Sequence, residues 1–336
     1  MHYYSKLADV VDACRKFHDN SRDQLTAETL EGRRRLADWI RKFHRECGTL
    51  TPQVEQALER LNEERCLLLM TAHQPNLFAY GGVFRKATLN HVLAGTLSVL
   101  LDVPVVSFFG LADQDFTDDR WIKSALLPDV ERRNATLELR MPLPDRIMLN
   151  KTPKPSETIL NRWRQDIQNW IHCKTKSIAE LAGVQLDESV YLGNLGQLWS
   201  VVTDSYDKAE NCADFNAFII SQIINATWEY DTLFCRFSEC QRIFKQEFSS
   251  LIDRFWDYSE AVRGAEERSR TDGGGVHGDE HQTIPVWYHC ECGSKARLTA
   301  IDTKRGIVGH GDCLVCGKQF EIDFSLESRI WNDLSR

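Results

Sequence analysis

The chain has 336 residues, 42% hydrophobic and 27% charged, with a formal net charge of −8 at pH 7. That length accommodates about two domains, and the composition is that of an ordinary soluble globular chain. The acidic balance excludes a broad nucleic-acid-gripping surface, which needs clustered Lys and Arg, and no apolar run reaches the roughly 18 residues of a membrane span.

The start, Met1-His2-Tyr3-Tyr4-Ser5-Lys6, has no apolar leader, so a cytoplasmic address is expected. The 11 cysteines then read as reduced thiols or metal ligands rather than disulfides. Four are grouped near the C-terminus, and the remaining seven lie among apolar neighbours as buried small residues.

Residues 1–65 read as a helical N-terminal segment packed on a core. Ser21 with Gln24 suits a capping box ahead of a helix Leu25–Cys47, and Thr51-Pro52 places an N-cap before a proline at the first position of the next helix. Leu30, Leu36, Ile40 and Phe43 make one apolar face. The Arg33-Arg34-Arg35 and Arg41-Lys42-His44-Arg45 groups read as a solvated face, with phosphate or RNA binding as the rival use.

The organising stretch follows. Leu67–Ala72 is a continuous apolar run, as in a strand buried on both faces. Pro75, Asn76, Gly81 and Gly82 interrupt it before a helical pattern from about Val83 to Leu101. A second apolar run, Val103–Gly110, leads into the polar turn Leu111–Phe116. Together these spell βαβ, and a right-handed crossover makes the strands parallel with both turns on one edge. His73, Gln74, Asn76, Asp113 and Asp115 then face a common crevice. The amides near Gly81 and Gly82 suit phosphate, and Lys86, one turn into the helix, adds positive charge.

Trp121–Arg140 reads as a helix and a strand, and the proline-rich segment after it as a spacer. Thr158–Ala182 is helical by spacing, with Ile159, Trp163, Ile167, Trp170 and Ile171 on one side, within a connecting segment at about 150–190. Tyr191–Gln197 reads as a glycine turn opening a helix at Leu198. A helix Asp214–Trp228, a strand Thr232–Phe237 and a helix from Glu239 to about Val262 continue the alternation, so the α/β core spans 66–262. Residues 263–283, with Gly273-Gly274-Gly275, have a linker's composition.

Residues 284–324 carry two short cysteine pairs, each followed by glycine: Cys290-Glu291-Cys292-Gly293 and Cys313-Leu314-Val315-Cys316-Gly317. Thiolates on two tight turns close a tetrahedron around Zn²⁺, the signature of a zinc ribbon. The first pair has one intervening residue rather than two, so the fourth ligand is either Cys290 or His289, which lies three before Cys292. Four protein ligands leave no position for activating water, so this zinc is expected to be structural. Residues 325–336 read as the start of a further core segment.

The pair HQPNLFAYGGVFRKATLNHVLA and DVPVVSFFGLADQDF resembles the core of the bacillithiol biosynthesis cysteine-adding enzymes, clearly over about residues 66–120 and more weakly from Tyr191 to Ile252. The cysteine module is similar to the ribbon of class I lysyl-tRNA synthetases. The resemblance implies a Rossmann-like sheet with helical N-terminal decoration and an added zinc ribbon. The implied activity is ligation of cysteine, or a similar amino acid, to an amino-sugar acceptor, with ATP and Mg²⁺ as the activating pair. His73, Gln74, Asn76, Lys86, Asp113 and Asp115 would then be catalytic and Gly81 and Gly82 nucleotide-binding. The rival reading is a non-catalytic nucleotide- or RNA-binding adaptor. A homo-oligomer is compatible with either.

Overall fold

A computed structural model describes residues 6–22, 26–129, 131–132, 135–240, 245–271, 283–303, 306–324 and 334–335. They divide into two compact units. Unit 1 is 1–113, 117–143 and 149–237, and unit 2 is 114–116, 144–148 and 238–336.

Unit 1 opens with helices α1 (Leu7–Arg22), α2 (Ala27–Cys47) and α3 (Pro52–Leu61). Thr51 caps α3 as expected, its side chain accepting from the Val54 amide at 3.3 Å with Pro52 at the helix start. The cap of α2 is instead Thr26, which accepts from the Thr29 amide at 3.2 Å. Ser21 is itself helical in α1 and so cannot take the extended geometry of a cap, while Gln24 lies outside the described residues.

The predicted βαβ unit follows: β1 (Leu67–His73), α4 (Gly81–Leu101) and β2 (Val105–Leu111). After a short α5 (Arg120–Lys123), the antiparallel hairpin of β3 (Ser124–Pro128) and β4 (Thr136–Arg140) leads to α6 (Glu157–Ala182), α7 (Glu188–Lys208) and α8 (Cys212–Ser221). A π-helical turn Gln222–Thr227 then precedes β5 (Leu233–Arg236). Strands β1, β2 and β5 form a three-stranded parallel sheet in the order β1-β2-β5.

Being central, β2 is buried at every residue, and its one hydroxyl, Ser107, meets the Asn90 amide of α4 at 2.8 Å. The same amide donates to the Leu69 and Phe108 carbonyls, tying α4 to both strands. The expectation that β1 is buried on both faces does not hold, since α4 covers one face of β1 while α2 and α3 pack over the other two strands. Leu67 and Leu69 pack with Ala94 and Leu97 of α4, while Leu68 and Met70 on the other face are exposed. Helices α2 and α3 pack over β2 and β5.

Two further expectations in unit 1 change. Tyr191–Gln197 is not a turn: Asp187 caps α7, accepting from the Ser189 amide at 2.9 Å, and the helix runs straight through both glycines. Leu195, Trp199 and Val202 recur at helical spacing and are buried, which outweighs the roughly 1 kcal/mol that each interior glycine costs. An added Cβ at Gly193 or Gly196 meets nothing within 4 Å. Gly193→Ala and Gly196→Ala should therefore each stabilise by about 0.5–1 kcal/mol, read as a rise of a few degrees in the melting temperature of the double variant. Cys173, expected to be buried, is exposed on the solvent side of α6.

Helix α9 (Phe237–Cys240) begins on the last residue of unit 1, and unit 2 continues with α10 (Lys245–Asp253) and α11 (Phe255–Thr271). Strands β6 (Thr283–His289), β7 (Lys295–Thr303), β8 (Gly306–Asp312), β9 (Gln319–Asp323) and β10 (Leu334–Ser335) follow. The strands form an antiparallel sheet in the order β10-β6-β7-β8-β9. Helices after β5 were expected to continue the parallel layer; instead Ile252 and Phe255 are buried with Ile284, Val286, Leu298 and Phe320 of this second sheet. The expected linker is helical as far as Thr271, and its glycine run lies outside the described residues. Leu334 and Ser335 pair with β6 rather than joining the parallel sheet, and the rest of the expected further core segment lies outside the described residues. Among the described residues no helix is long and apolar enough to cross a membrane.

Candidate functional site

The register pairs His73 with Leu111 and Leu111 with Arg236, so these three residues form a row at the carboxyl end of the parallel sheet. Past the row, the Ala112 amide donates to the His73 carbonyl at 3.0 Å, holding the β1 and β2 turns side by side. His73 Nδ1 lies 2.9 Å from the Gln74 carbonyl oxygen, which only accepts, so Nδ1 carries a proton. In the neutral ring Nε2 then accepts from the Tyr80 hydroxyl at 3.1 Å. Tyr80 packs against Trp121, ring centroids 5.7 Å apart. An added Cβ on Gly82 would come within 2.2 Å of the Tyr80 ring, so glycine at 82 lets that ring lie over the start of α4.

The loop between β1 and α4 is held from several sides. The Asn76 amide N–H donates to the Gln74 carbonyl, Ala79 to the Asn76 carbonyl, and Leu77 to the Trp121 carbonyl, at 2.9, 3.1 and 3.1 Å. Phe78 and Ala79 have left-handed backbones, φ +50° and +22°, each a cost of order 1–3 kcal/mol for a residue with a side chain. Packing sustains them: Phe78 sits among Trp163, Trp199 and Phe215, and its N–H donates to Asn216 Oδ1 at 3.4 Å. Asn76, within this loop, is 1% exposed, and neither its Oδ1 nor its Nδ2 has a partner among the described residues. Tyr80, the cap residue of α4, makes no side-chain cap bond, so the first amides of the helix, at Gly81 and Gly82, are not satisfied by it.

Of the remaining predicted residues, Asp113 is buried and accepts from Asn150 twice, carbonyl from amide at 2.9 Å and Oδ2 from Nδ2 at 3.1 Å. Asn150 Oδ1 is buried without a partner among the described residues. Lys86 is exposed on α4. Asp115 belongs to unit 2, whereas His73, Gln74, Asn76, Lys86 and Asp113 belong to unit 1.

Tyr80, Asn150 and Arg236 join the predicted residues through their contacts and register. The last had a signal, a charge terminating the apolar strand Leu233-Phe234-Cys235. Its guanidinium donates to Asp214 at 2.7 Å and Glu46 at 2.8 Å and lies over the rings of Phe43 and Phe218. Burial pushes the Asp214 carboxyl up, against the pull of that guanidinium.

In unit 2, the sulfur atoms of Cys290, Cys292, Cys313 and Cys316 all lie within 4.8 Å of one another, and His289 is not in the group. Cys290 and Cys316 are 3.6 Å apart and Cys292 and Cys313 3.5 Å, close to the roughly 3.8 Å between thiolates about 2.3 Å from a tetrahedral Zn²⁺. Each pair sits on a tight turn. Gly293 N–H donates to the Cys290 carbonyl at 3.0 Å and Gly317 N–H to the Cys313 carbonyl at 3.1 Å, both glycines having positive φ. Burial raises the Cys290 and Cys292 thiols, Cys290 to about 12, whereas at Cys313 backbone amides of Cys316 and Val315 and the neighbouring thiols overcome burial and pull the thiol down to about 6. The donor set thus suits a soft divalent metal ion.

No family model matches the chain, and no curated protein matches it.

Proposed function

We propose that the chain is a ligase-type enzyme adding cysteine, or a similar amino acid, to an amino-sugar acceptor from a Rossmann-like sheet in unit 1, with a structural zinc ribbon in unit 2. The observation that carries the reading is Asn76. A buried amide with both polar atoms unpaired costs about 1–3 kcal/mol, which a ligand offering complementary groups would recover. Its place supports the same reading, since ligands of open α/β sheets bind at the carboxyl ends of the strands.

The surrounding chemistry fits an activated-carboxylate reaction. The uncapped start of α4 favours an anionic group such as a nucleotide phosphate. The His73–Tyr80 pair can take up and return the proton of an attacking amine, and Asp113, held by Asn150, can orient that amine or a Mg²⁺ ion. The amino-acid carboxylate would attack the α-phosphate of a nucleoside triphosphate, releasing pyrophosphate, and the acceptor amine would then attack the acyl carbon, expelling the nucleoside monophosphate and giving up its proton to leave an amide. Four thiolates around zinc leave no open position, so the metal would serve the fold alone. A reducing cytoplasm would keep those thiols available.

The adaptor reading draws less support. Arg33 donates to the Glu63 and Glu64 carbonyls, Arg34 and Arg35 pair with Glu31, and Arg41 pairs with Asp38 and Glu55, so these cations are engaged within the chain.

Asn76→Ala separates a ligand role from a packing role. The variant is expected to keep or slightly raise the melting temperature of the free protein, because an unpaired buried amide is removed. It should lose both the melting shift given by nucleotide, cysteine or amino sugar and the formation of amide. If none of those compounds shifts the melting of the wild-type chain, and mass spectrometry finds no new amide, the ligase reading is wrong.

A further inference from the structure

Helix α4 is apolar on its solvent side as well as its buried side. Val83, Ala87, Ala94 and Leu97 are buried, while Leu89, Val92, Val99 and Leu100 are 67%, 55%, 81% and 48% exposed. At about 100° per residue the exposed set, together with Thr96, occupies roughly a third of the circumference opposite the buried set. A helix that is apolar all round is normally buried, and a contiguous exposed stripe of this kind marks an interaction surface.

The stripe carries its own symmetry. Leu89, Val92, Thr96 and Val99 follow the 3-4-3 spacing of a helix-pairing seam, and that spacing reads the same in both directions about residue 94. No Lys, Arg, Asp or Glu occurs from Ala87 to Leu101. Charge appears only at the two ends, Arg85 and Lys86 at the start and Asp102 just past the end, all exposed.

We propose that this face pairs with the same face of a second copy of the chain, the two α4 helices antiparallel about a two-fold axis near residue 94. Leu89 then lies on Val99 of the second copy and Val92 on Thr96, each contact made twice as an isologous interface requires. Antiparallel pairing brings the end carrying Arg85 and Lys86 level with Asp102 of the second copy, residue 86 lying opposite 102, and does so at both ends, whereas parallel pairing would set Arg85 against Arg85. Beside the centre, Gly95 has nothing within 4 Å of an added Cβ, so the helix axes can approach closely there. The seam is only about 15 Å long, which places the pair at the small end of specific interfaces, with association in the micromolar range.

Sedimentation velocity of the full-length chain over about 1–100 µM tests the pairing. The mass should rise from the 38.7 kDa of one chain to about twice that. L89K and V99E should each remain monomeric at the highest concentration with melting temperatures unchanged. An equimolar mixture of the two should recover a dimer, because the introduced amine of one chain lies on the introduced carboxylate of the other. A wild-type chain that is monomeric throughout, which would leave the face to a different partner, overturns the proposal. So do variants that dimerise as the wild type does, and a mixture that stays monomeric.

Discussion

Purified chain is expected to carry close to one equivalent of zinc, and removing it with a chelator, or replacing Cys313 by Ser, should unfold the sheet of unit 2 while unit 1 stays folded. The apolar core under that sheet is small: Ile284, Val286, Ala296, Leu298, Ala300, Ile307 and Phe320 from the strands, with Ile252 and Phe255 from the helices. Domains of this size are marginal without an added constraint. The cysteine turns supply one, because they join the end of β6 to the end of β8 through four sulfur atoms. Structural zinc contributes an apparent binding free energy of roughly 10–16 kcal/mol at pH 7, comparable to or larger than the whole stability of a typical domain. Elemental analysis gives the metal content. Hydrogen exchange then reads the units separately: amides of β6 to β9 should lose protection, and those of β1 and β2 keep it. Less than half an equivalent of zinc, with protection in β6 to β9 intact, would count against the site.

The second large effect lies in unit 1. His44→Ala should destabilise by about 3–5 kcal/mol, because it breaks a relay in which every polar group is satisfied. The Phe234 amide donates to His44 Nε2 at 3.0 Å, so the ring proton must be on Nδ1, which donates to Thr49 Oγ1 at 2.8 Å. Thr49 in turn donates to Ser221 Oγ at 2.8 Å and Ser221 to Asn225 Oδ1 at 3.0 Å. Asn225 Nδ2 then donates to the Tyr230 and Thr232 carbonyls at 2.8 and 2.9 Å. The direction of each proton follows from the first. Removing the ring strands the Phe234 amide and opens a void beside Phe43 and Phe234.

The same burial makes unfolding pH-dependent. Desolvation lowers the His44 pKa from 6.5 to about 3, so the folded protein keeps the ring neutral. Above pH 6.5 neither state is protonated and the contribution is fully in place. As pH falls from 6.5 towards 3, only the unfolded chain takes up the proton, so stability drops, by up to about 5 kcal/mol at pH 3. Denaturant titrations between pH 7 and 4 should show this loss in the wild type and a shallower one in His44→Phe.

His44 also shows what local reading misses. In the sequence it stands among Arg41, Lys42 and Arg45 and looks like part of a solvated basic face, yet it is fully buried. Position 44 lies with Ile40 and Phe43 on the buried side of α2. What no spacing supplies is the reason a polar ring is tolerated there, because its partners come from Thr49, Ser221 and Phe234. Likewise Asn76 was legible as a polar turn residue beside a strand, but that its amide has no partner among the described residues depends on how Leu77, Phe78 and Ala79 are held by distant residues.

By itself the sequence determined the features that rest on short-range chemistry. These are the β1–α4–β2 unit, because apolar runs and glycine breaks are local; the Thr51-Pro52 helix start; the amphipathic face of α6; and the two cysteine turns, whose spacing brings the sulfurs of each pair together. Tertiary structure alone decided that β1 lies at an edge with Leu68 and Met70 exposed, and that α7 runs through Gly193 and Gly196. It also decided that the helices after β5 serve the second sheet and that the four cysteines, rather than His289, converge. Each of those outcomes depends on which surface an element meets, and an apolar residue contributes the same burial free energy against any apolar neighbour, so its own sequence cannot name the one it meets.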